Sequence, residues 1–190
     1  MELLRLRDAS SLEVAAGWLS RWQTFRWLDF GNGVQKLKAE SLRIMVQRRI
    51  HEMRLFTDDD GRPIGIVGLS AIHRSFRTCS GWCVLGEARM AGRGFATRAC
   101  RQMLDVAFRD LGVRAVSAWA VDGNAPAVRL LERLGFQPIG RQRRCHYIDG
   151  RPLDRLHFDL LAEEHARSET FGELVAGHSA GGARSRRKEA

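Results

Sequence analysis

The stretch Val84-Leu-Gly-Glu-Ala-Arg-Met-Ala-Gly-Arg-Gly-Phe-Ala-Thr-Arg-Ala99 decides how the rest of the chain reads. An apolar, strand-like run, Gly81-Trp-Cys-Val-Leu85, leads into it. Behind it Phe95, Ala99, Met103 and Val106 recur at helical spacing, and Leu104, Ala107 and Leu111 widen the stripe. Between strand and helix lies Arg89-x-x-Gly92-x-Gly94. The first turn of a helix carries amide N–H groups without partners and a partial positive charge. Glycine lets a bulky anion come close to that backbone. Arg89 and Arg93 add full charges. The expected feature is a cradle for a phosphate or pyrophosphate.

Two other phosphate loops fit less well. There is no Gly-Lys-Ser/Thr, so a nucleotide triphosphatase loop is out, and the spacing is not Gly-x-Gly-x-x-Gly, which speaks against a dinucleotide fold. The competing reading is an ordinary strand-turn-helix connection whose glycines serve only the turn.

The loop resembles motif A of the Gcn5-related N-acetyltransferases, the GNAT superfamily, in which Arg-x-x-Gly-x-Gly/Ala sits between a strand and a helix. The longer run from Gly81-Trp through Glu87 to Phe95-Ala-Thr97 is similar to the branch of RimJ/RimL-type N-terminal acetyltransferases. A second block, Asn124-Ala-Pro-Ala127 followed by Val-Arg-Leu-Leu-Glu-Arg-Leu-Gly135-Phe136, looks like motif B. A third, Tyr147-Ile-Asp-Gly150-Arg-Pro-Leu-Asp154, is similar to that branch's last hairpin. The three blocks stand in the family's order across residues 1–165.

The resemblance implies an α/β fold with a mixed central sheet of about seven strands, helices on both faces and two splayed central strands. It implies acetyl-CoA as cosubstrate and an amine as acceptor. The cofactor-binding residues carried over are Val84, Leu85, Arg89, Met90, Gly92, Arg93, Gly94, Ala96, Thr97, Asn124 and Ala127, the loop acting mostly through main-chain amides. A backbone N–H near Leu85 is the implied oxyanion donor. Asn124 has a purely structural reading too, as the cap of the helix it precedes.

The proton-handling groups match less well. The tyrosine that many family members use toward the leaving thiolate corresponds here to Leu131. The one tyrosine in the chain, Tyr147, is the candidate acid, against a reading as hairpin packing. The glutamate that often precedes the Gly-aromatic pair is replaced by Cys79 or Ser80. Glu87 is the candidate base, or else a partner for a nearby arginine, and His73 is another possible base. The economical mechanism is direct attack by the amine, with positioning and oxyanion stabilisation supplying most of the catalysis.

Composition bounds the rest. The 190 residues suit one domain with a tail, and 44% hydrophobic content is ordinary for a globular chain. A net charge of +9, mostly arginine, favours anionic partners. Cys79, Cys83, Cys100 and Cys145 form no Cys-x-x-Cys pair, and no histidine pair has zinc-like spacing, so no metal is expected. Reduced thiols, the absence of a signal-peptide pattern and no apolar run near the ~18–20 residues of a membrane span predict a cytoplasmic protein, monomer or homodimer.

In chain order, Glu2–Arg7 reads as a strand, and Asp8, Ser10 or Ser11 caps a helix from Leu12. Trp18, Trp22, Phe25, Trp27 and Phe30 crowd before a break at Gly31-Asn-Gly33, and are candidates for an acceptor wall or for packing. Ser41–Met53 reads as a second helix. Asp58–Pro63 is a hairpin turn between Leu55-Phe-Thr57 and Ile64–Leu69. Thr78–Leu85, Gly94–Leu111, Ala115–Val121, Ala125–Leu134, Gln137–Arg143 and Leu153–Leu160 complete a strand-helix-strand-helix-strand-strand order. Residues 1–167 form the expected domain, and 168–190 a basic disordered tail. Two alternatives stand: an acyl-CoA-binding regulatory module without turnover, and a ribosome- or RNA-associated basic protein. For the second, nucleic-acid contact through the tail alone would be weak and salt-sensitive.

Overall fold

The computed structural model describes residues 1–29 and 37–167. Phe30, the Gly31-Asn-Gly33 break and the tail from residue 168 lie outside them. The strands are β1 (Leu3–Arg5), β2 (Glu52–Thr57), β3 (Pro63–His73), β4 (Thr78–Leu85), β5 (Ala115–Val121), β6 (Gln137–Ile148) and β7 (Arg151–Leu161). The helices are α1 (Ala9–Leu19), α2 (Trp22–Phe25), α3 (Ala39–Gln47), α4 (Phe95–Asp105) and α5 (Ala125–Arg133). The expected mixed α/β sheet of seven strands is present, in the order β1-β2-β3-β4-β5-β7-β6.

Every neighbouring pair is antiparallel except β4 and β5. That parallel pair makes three rungs, Thr78↔Ala115, Cys79↔Val116 and Ser80↔Ser117. Beyond Ser80, β4 stays paired with β3 as far as Leu85↔Gly65, and β5 stays paired with β7 as far as Val121↔Arg155. The two central strands therefore part at their C-terminal halves.

Strand alternation sorts the side chains onto two faces. On one, Val67, Leu69, Val116, Ala118, Phe158 and Leu160 pack beneath Phe95, Ala99 and Met103 of α4. On the other, Met53, Leu55, Ile66 and Val84 pack beneath Leu12, Ala15 and Leu19 of α1 and Leu42 of α3. Helices thus cover both faces.

Local signals explain most boundaries. Asp8 caps α1, its carboxylate accepting from the Ser11 N–H at 2.7 Å, so the helix starts at Ala9 rather than Leu12. The buried Asp58 carboxylate accepts from the Asp60 and Arg62 amides and builds the β2–β3 turn. α4 continues into a wider turn, in which the Leu111 N–H donates to the Val106 carbonyl, and ends at Gly112 with φ +65°.

The second helix is shorter than its periodicity predicts. It stops at Gln47, Ile50 is exposed, and Met53 lies in β2 opposite Gly68. Met53 and Leu55 are also two apart, and pairing with β3 buries both, which the helical reading does not. β6 is longer than expected, running to Ile148 through two irregularities, between Pro138 and Gly140 and between Gln142 and His146.

One packing contact fixes the end of β4. A Cβ placed on Gly86 would lie 2.1 Å from the Trp18 ring. The bare backbone of Gly86 is the surface on which buried Trp18 rests. Gly86→Ala is expected to lower stability by about 1–3 kcal/mol through overpacking. Urea unfolding that left the midpoint within error of the wild type would contradict this.

Candidate functional site

The gap between β4 and β5 and the glycine loop above it form one continuous feature. The Gly86 amide donates to the Ile64 carbonyl at 2.8 Å, which continues the β3–β4 register. Ladder bonds alternate along an antiparallel pair, so Val84 and Trp82 also turn their peptide groups to β3. Gly81, Cys83 and Leu85 turn theirs the other way, into the gap. Leu85 thus offers a gap-facing N–H. Val84 does not, because its side chain is buried under α1 and its peptide groups serve the ladder.

Above the gap, Ala88–Met90 makes a short 3₁₀ turn and the chain then passes Gly92 and Gly94, both at φ +78°. Side chains other than glycine rarely adopt that region. Gly94 is the N-cap of α4, where no side chain caps the helix and the first turn holds no acidic residue. The orphan amides expected there are left to solvent or an anion. Arg89 is 75% exposed and Arg93 is exposed, while Ala96 and Thr97 are half-buried on the first turn. Met90 packs back onto the core beneath α4. The loop is therefore a positive rim with open space over both glycines.

Two residues that the sequence did not single out as loop holders anchor this rim. The Trp18 indole N–H donates to Glu87 Oε1 at 3.1 Å, and Arg21 Nη1 donates to the Gly86 carbonyl at 2.8 Å. Both come from the α1–α2 corner, more than sixty residues away in sequence. Glu87 Oε2 is also 3.9 Å from Arg89. No local motif signals these contacts, since each depends on where α1 packs.

Across the gap, Asn124 caps α5, its side-chain oxygen accepting from the Ala127 amide at 3.4 Å. The structural reading of Asn124 is thus realised, and its side-chain NH₂ and half-buried Ala127 stand at the mouth of the gap beside β5. Leu131 is half-buried and packs into the core. Tyr147 is 66% exposed near the tip of the β6–β7 hairpin, opposite Pro152. His73 is not in the loop that the sequence suggested but is the last residue of β3, opposite Thr78 at the far end of the sheet, stacked on Phe76 at 4.3 Å. The structure does not bring it to the gap.

The aromatic cluster divides. Trp18 is core, Trp22 is exposed and meets Phe25 edge-on at 5.1 Å, and Trp27 carries the Arg26 guanidinium at 4.5 Å. The segment after α2 is clasped to the sheet. Buried His146 has Nε2 2.6 Å from the Arg26 carbonyl, so Nε2 bears the hydrogen and Nδ1 accepts from Arg155 Nη2 at 3.2 Å. Arg155 also donates to Asp29 at 3.0 Å and stacks on Trp119 at 4.0 Å.

All four cysteines are free thiols. Burial pushes Cys79 up to about 12, and a hydrogen bond with Cys100, with burial added, holds Cys83 well above the usual thiol range. No cluster of metal-ligating side chains occurs among the described residues, and no described helix is long and apolar enough to cross a membrane.

A family model described as an acetyltransferase (GNAT) domain matches residues 1–137. A putative ribosomal N-acetyltransferase of Bacillus subtilis is 30% identical over 106 residues, which is 55% of this chain and 57% of that protein. A probable N-acetyltransferase of the same organism is 34% identical over 97 residues, 50% of this chain and 53% of that one. The chain spans about half the length of the curated relatives it matches. Among solved structures, a dodecameric spermidine N-acetyltransferase from Vibrio cholerae superposes with a TM-score of 0.71 at 20% identity, covering 86% of this chain and 95% of that one. A probable acetyltransferase gives 0.70 at 23% identity, covering 84% and 92%. At such identities these two likenesses speak for the fold alone.

The raised thiol of Cys83 makes it a poor nucleophile although it borders the gap. Cys83→Ala is expected to keep turnover within about threefold of wild type, with no acyl-enzyme in the mass spectrum of a quenched reaction. A trapped thioester on Cys83 would overturn that expectation.

Proposed function

The chain belongs to the acetyltransferase (GNAT) domain family, and from that premise we propose that it transfers an acetyl group from acetyl-CoA to a primary amine by direct attack in a ternary complex. One observation carries the reading. The one parallel pair among the described strands opens after three rungs, directly below an uncapped helix N-terminus preceded by two left-handed glycines. A diphosphate fits the rim, and a narrow polar chain fits the gap, where the peptide groups of β4 have lost their strand partner.

Within this reading, the amides at Gly92, Gly94, Ala96 and Thr97 hold the pyrophosphate, with Arg89 and Arg93 adding charge and Met90 seating the turn. Val84 fixes β4 from behind, and Asn124 and Ala127 close the side formed by α5. Acetyl-CoA, when bound, supplies the thioester. The Leu85 N–H donates to its carbonyl oxygen as charge develops there. Glu87, with one oxygen already taken by Trp18, accepts the amine's proton through water. Tyr147, on the β6–β7 hairpin, is the candidate acid for the departing thiolate.

Two acceptor classes suit the site, a small-molecule amine and a protein N-terminus. A curated relative is named for a ribosomal acceptor and a structural neighbour for spermidine. The four free thiols accord with a reducing, cytoplasmic setting.

Acetyl-CoA at a hundred times its dissociation constant should stabilise the folded chain by about 2.7 kcal/mol, seen as a raised Tm. Thiol release should then follow with one acceptor class. Gly92→Glu and Arg89→Glu should each weaken acetyl-CoA binding about tenfold or more, by placing a carboxylate against the diphosphate. Unchanged affinity in both would remove the loop from the site. A stabilised chain that releases no thiol with any amine would leave a binding module, the outcome that Leu131 in place of a tyrosine favours. Tyr147→Phe should lower kcat and move the alkaline limb of its pH profile. An unmoved profile would strip Tyr147 of its role.

A further inference from the structure

We propose that Arg21 is a positioning residue for Glu87. By holding the Gly86 carbonyl it keeps a bulge just past β4 that turns the Glu87 carboxylate onto the α1 face of the sheet. The inference rests on the acetyltransferase reading, in which Glu87 takes the acceptor's proton, and adds to it what puts that base in place.

The backbone supplies the bulge. Val84 pairs with Ile66 and Leu85 with Gly65, so Gly86 comes next, opposite Ile64. In an uninterrupted antiparallel ladder such a pair exchanges two bonds, each N–H donating to the other residue's carbonyl. Here the amides of Gly86 and Glu87 both donate to the Ile64 carbonyl, at 2.8 and 2.9 Å. Two residues thus stand opposite one, which is a β-bulge. A trans peptide points its C=O opposite to its N–H. With the Glu87 N–H on β3, the Gly86 carbonyl is turned away from β3, to the side of the gap. Arg21 Nη1 meets it at 2.8 Å.

The side chains record the same turn. Successive strand residues alternate between faces. Val84 packs under α1, and Leu85 packs into the core beneath α4. Gly86 is back on the α1 face, since a Cβ there would lie 2.1 Å from the Trp18 ring. Alternation would return Glu87 to the α4 face beside Leu85. Instead its Oε1 accepts from the indole N–H of the same Trp18 at 3.1 Å. A bulge re-aims a side chain in this way.

Arg21 decides between the two arrangements. A carbonyl turned off the ladder needs another donor, and a guanidinium supplies a charge-assisted one. The Ile64 amide could serve that carbonyl only if the ladder ran straight, and Glu87 would then face α4, away from Trp18. Trp18 does not fix the choice, because its N–H reaches the carboxylate and not the backbone that aims it. Arg89, 3.9 Å from Glu87 Oε2, is 75% exposed and holds the carboxylate weakly. Among the described residues no carboxylate pairs with Arg21, so nothing draws it from the carbonyl. Glu87 is two residues from Leu85, whose amide is assigned to the thioester carbonyl, so a change in its aim falls where the bond is made.

The test uses the full chain, acetyl-CoA and the amine that thiol release identifies. Arg21→Met removes the donor and keeps an unbranched stem. It should lower kcat about 10- to 100-fold, with acceptor KM and acetyl-CoA affinity within about threefold of wild type. Arg21→Lys should recover most of kcat. Glu87→Gln should lower kcat about 100-fold, and adding Arg21→Met to it should lower kcat by less than about twofold more, because the two act as a unit. The Trp18 indole N–H reports the aim of Glu87 without any acceptor. Its NMR signal, identified by its shift in Glu87→Gln, should move in Arg21→Met and return in Arg21→Lys. An equal fall in kcat in both backgrounds, a matching loss of acetyl-CoA affinity, no recovery with lysine, or an indole signal unmoved by Arg21→Met overturns the proposal. So does a wild type that binds acetyl-CoA but acetylates no amine. A wild type that fails to bind acetyl-CoA sinks the acetyltransferase reading itself, and that step is measured before any amine is added.

Discussion

The constraint on which the molecule turns is that β4 and β5 cannot remain neighbours. Both strands run parallel, yet they share three rungs and then follow different partners. Buried peptide groups that lose a ladder partner need another, so a divergence inside a sheet is unfavourable unless something occupies it. The rest of the fold makes the opening possible. β3 holds β4 to its last residue, β7 holds β5 to its last residue, and helices cover both faces. What remains is a slot whose width is set by the two half-sheets rather than by any loop.

The opening also couples the two ends of the chain's first half. Trp18 and Arg21, from the α1–α2 corner, hold Glu87 and the Gly86 carbonyl. The same corner continues to Arg26 and Asp29, which His146 and Arg155 bind from the far strands. One short segment thus touches the half-sheet ending in β4 and the half-sheet ending in β6. The positive loop and the two half-sheets below it are kept in register by the same few side chains.

Much of this was readable from the residues because the informative signals are local. Gly92 and Gly94 need positive φ, Asn124 caps the helix that follows it, and Thr78–Leu85 and Ala115–Val121 have the bounds that their apolar runs indicate. Ser41–Met53 misled because Met53 suits a helical and an alternating pattern equally, and only pairing with Gly68 decides between them. The clamp by Trp18 and Arg21 was invisible for another reason: a contact across sixty-five or more residues leaves no periodicity.

The borders of the sheet carry a further consequence. One border is β1, three residues long, and the other is β6, interrupted twice and carrying Arg141, Arg143 and Arg144. Short, kinked or cationic borders resist the addition of a foreign strand. Copies of this chain are therefore poorly suited to join by extending one sheet into the next.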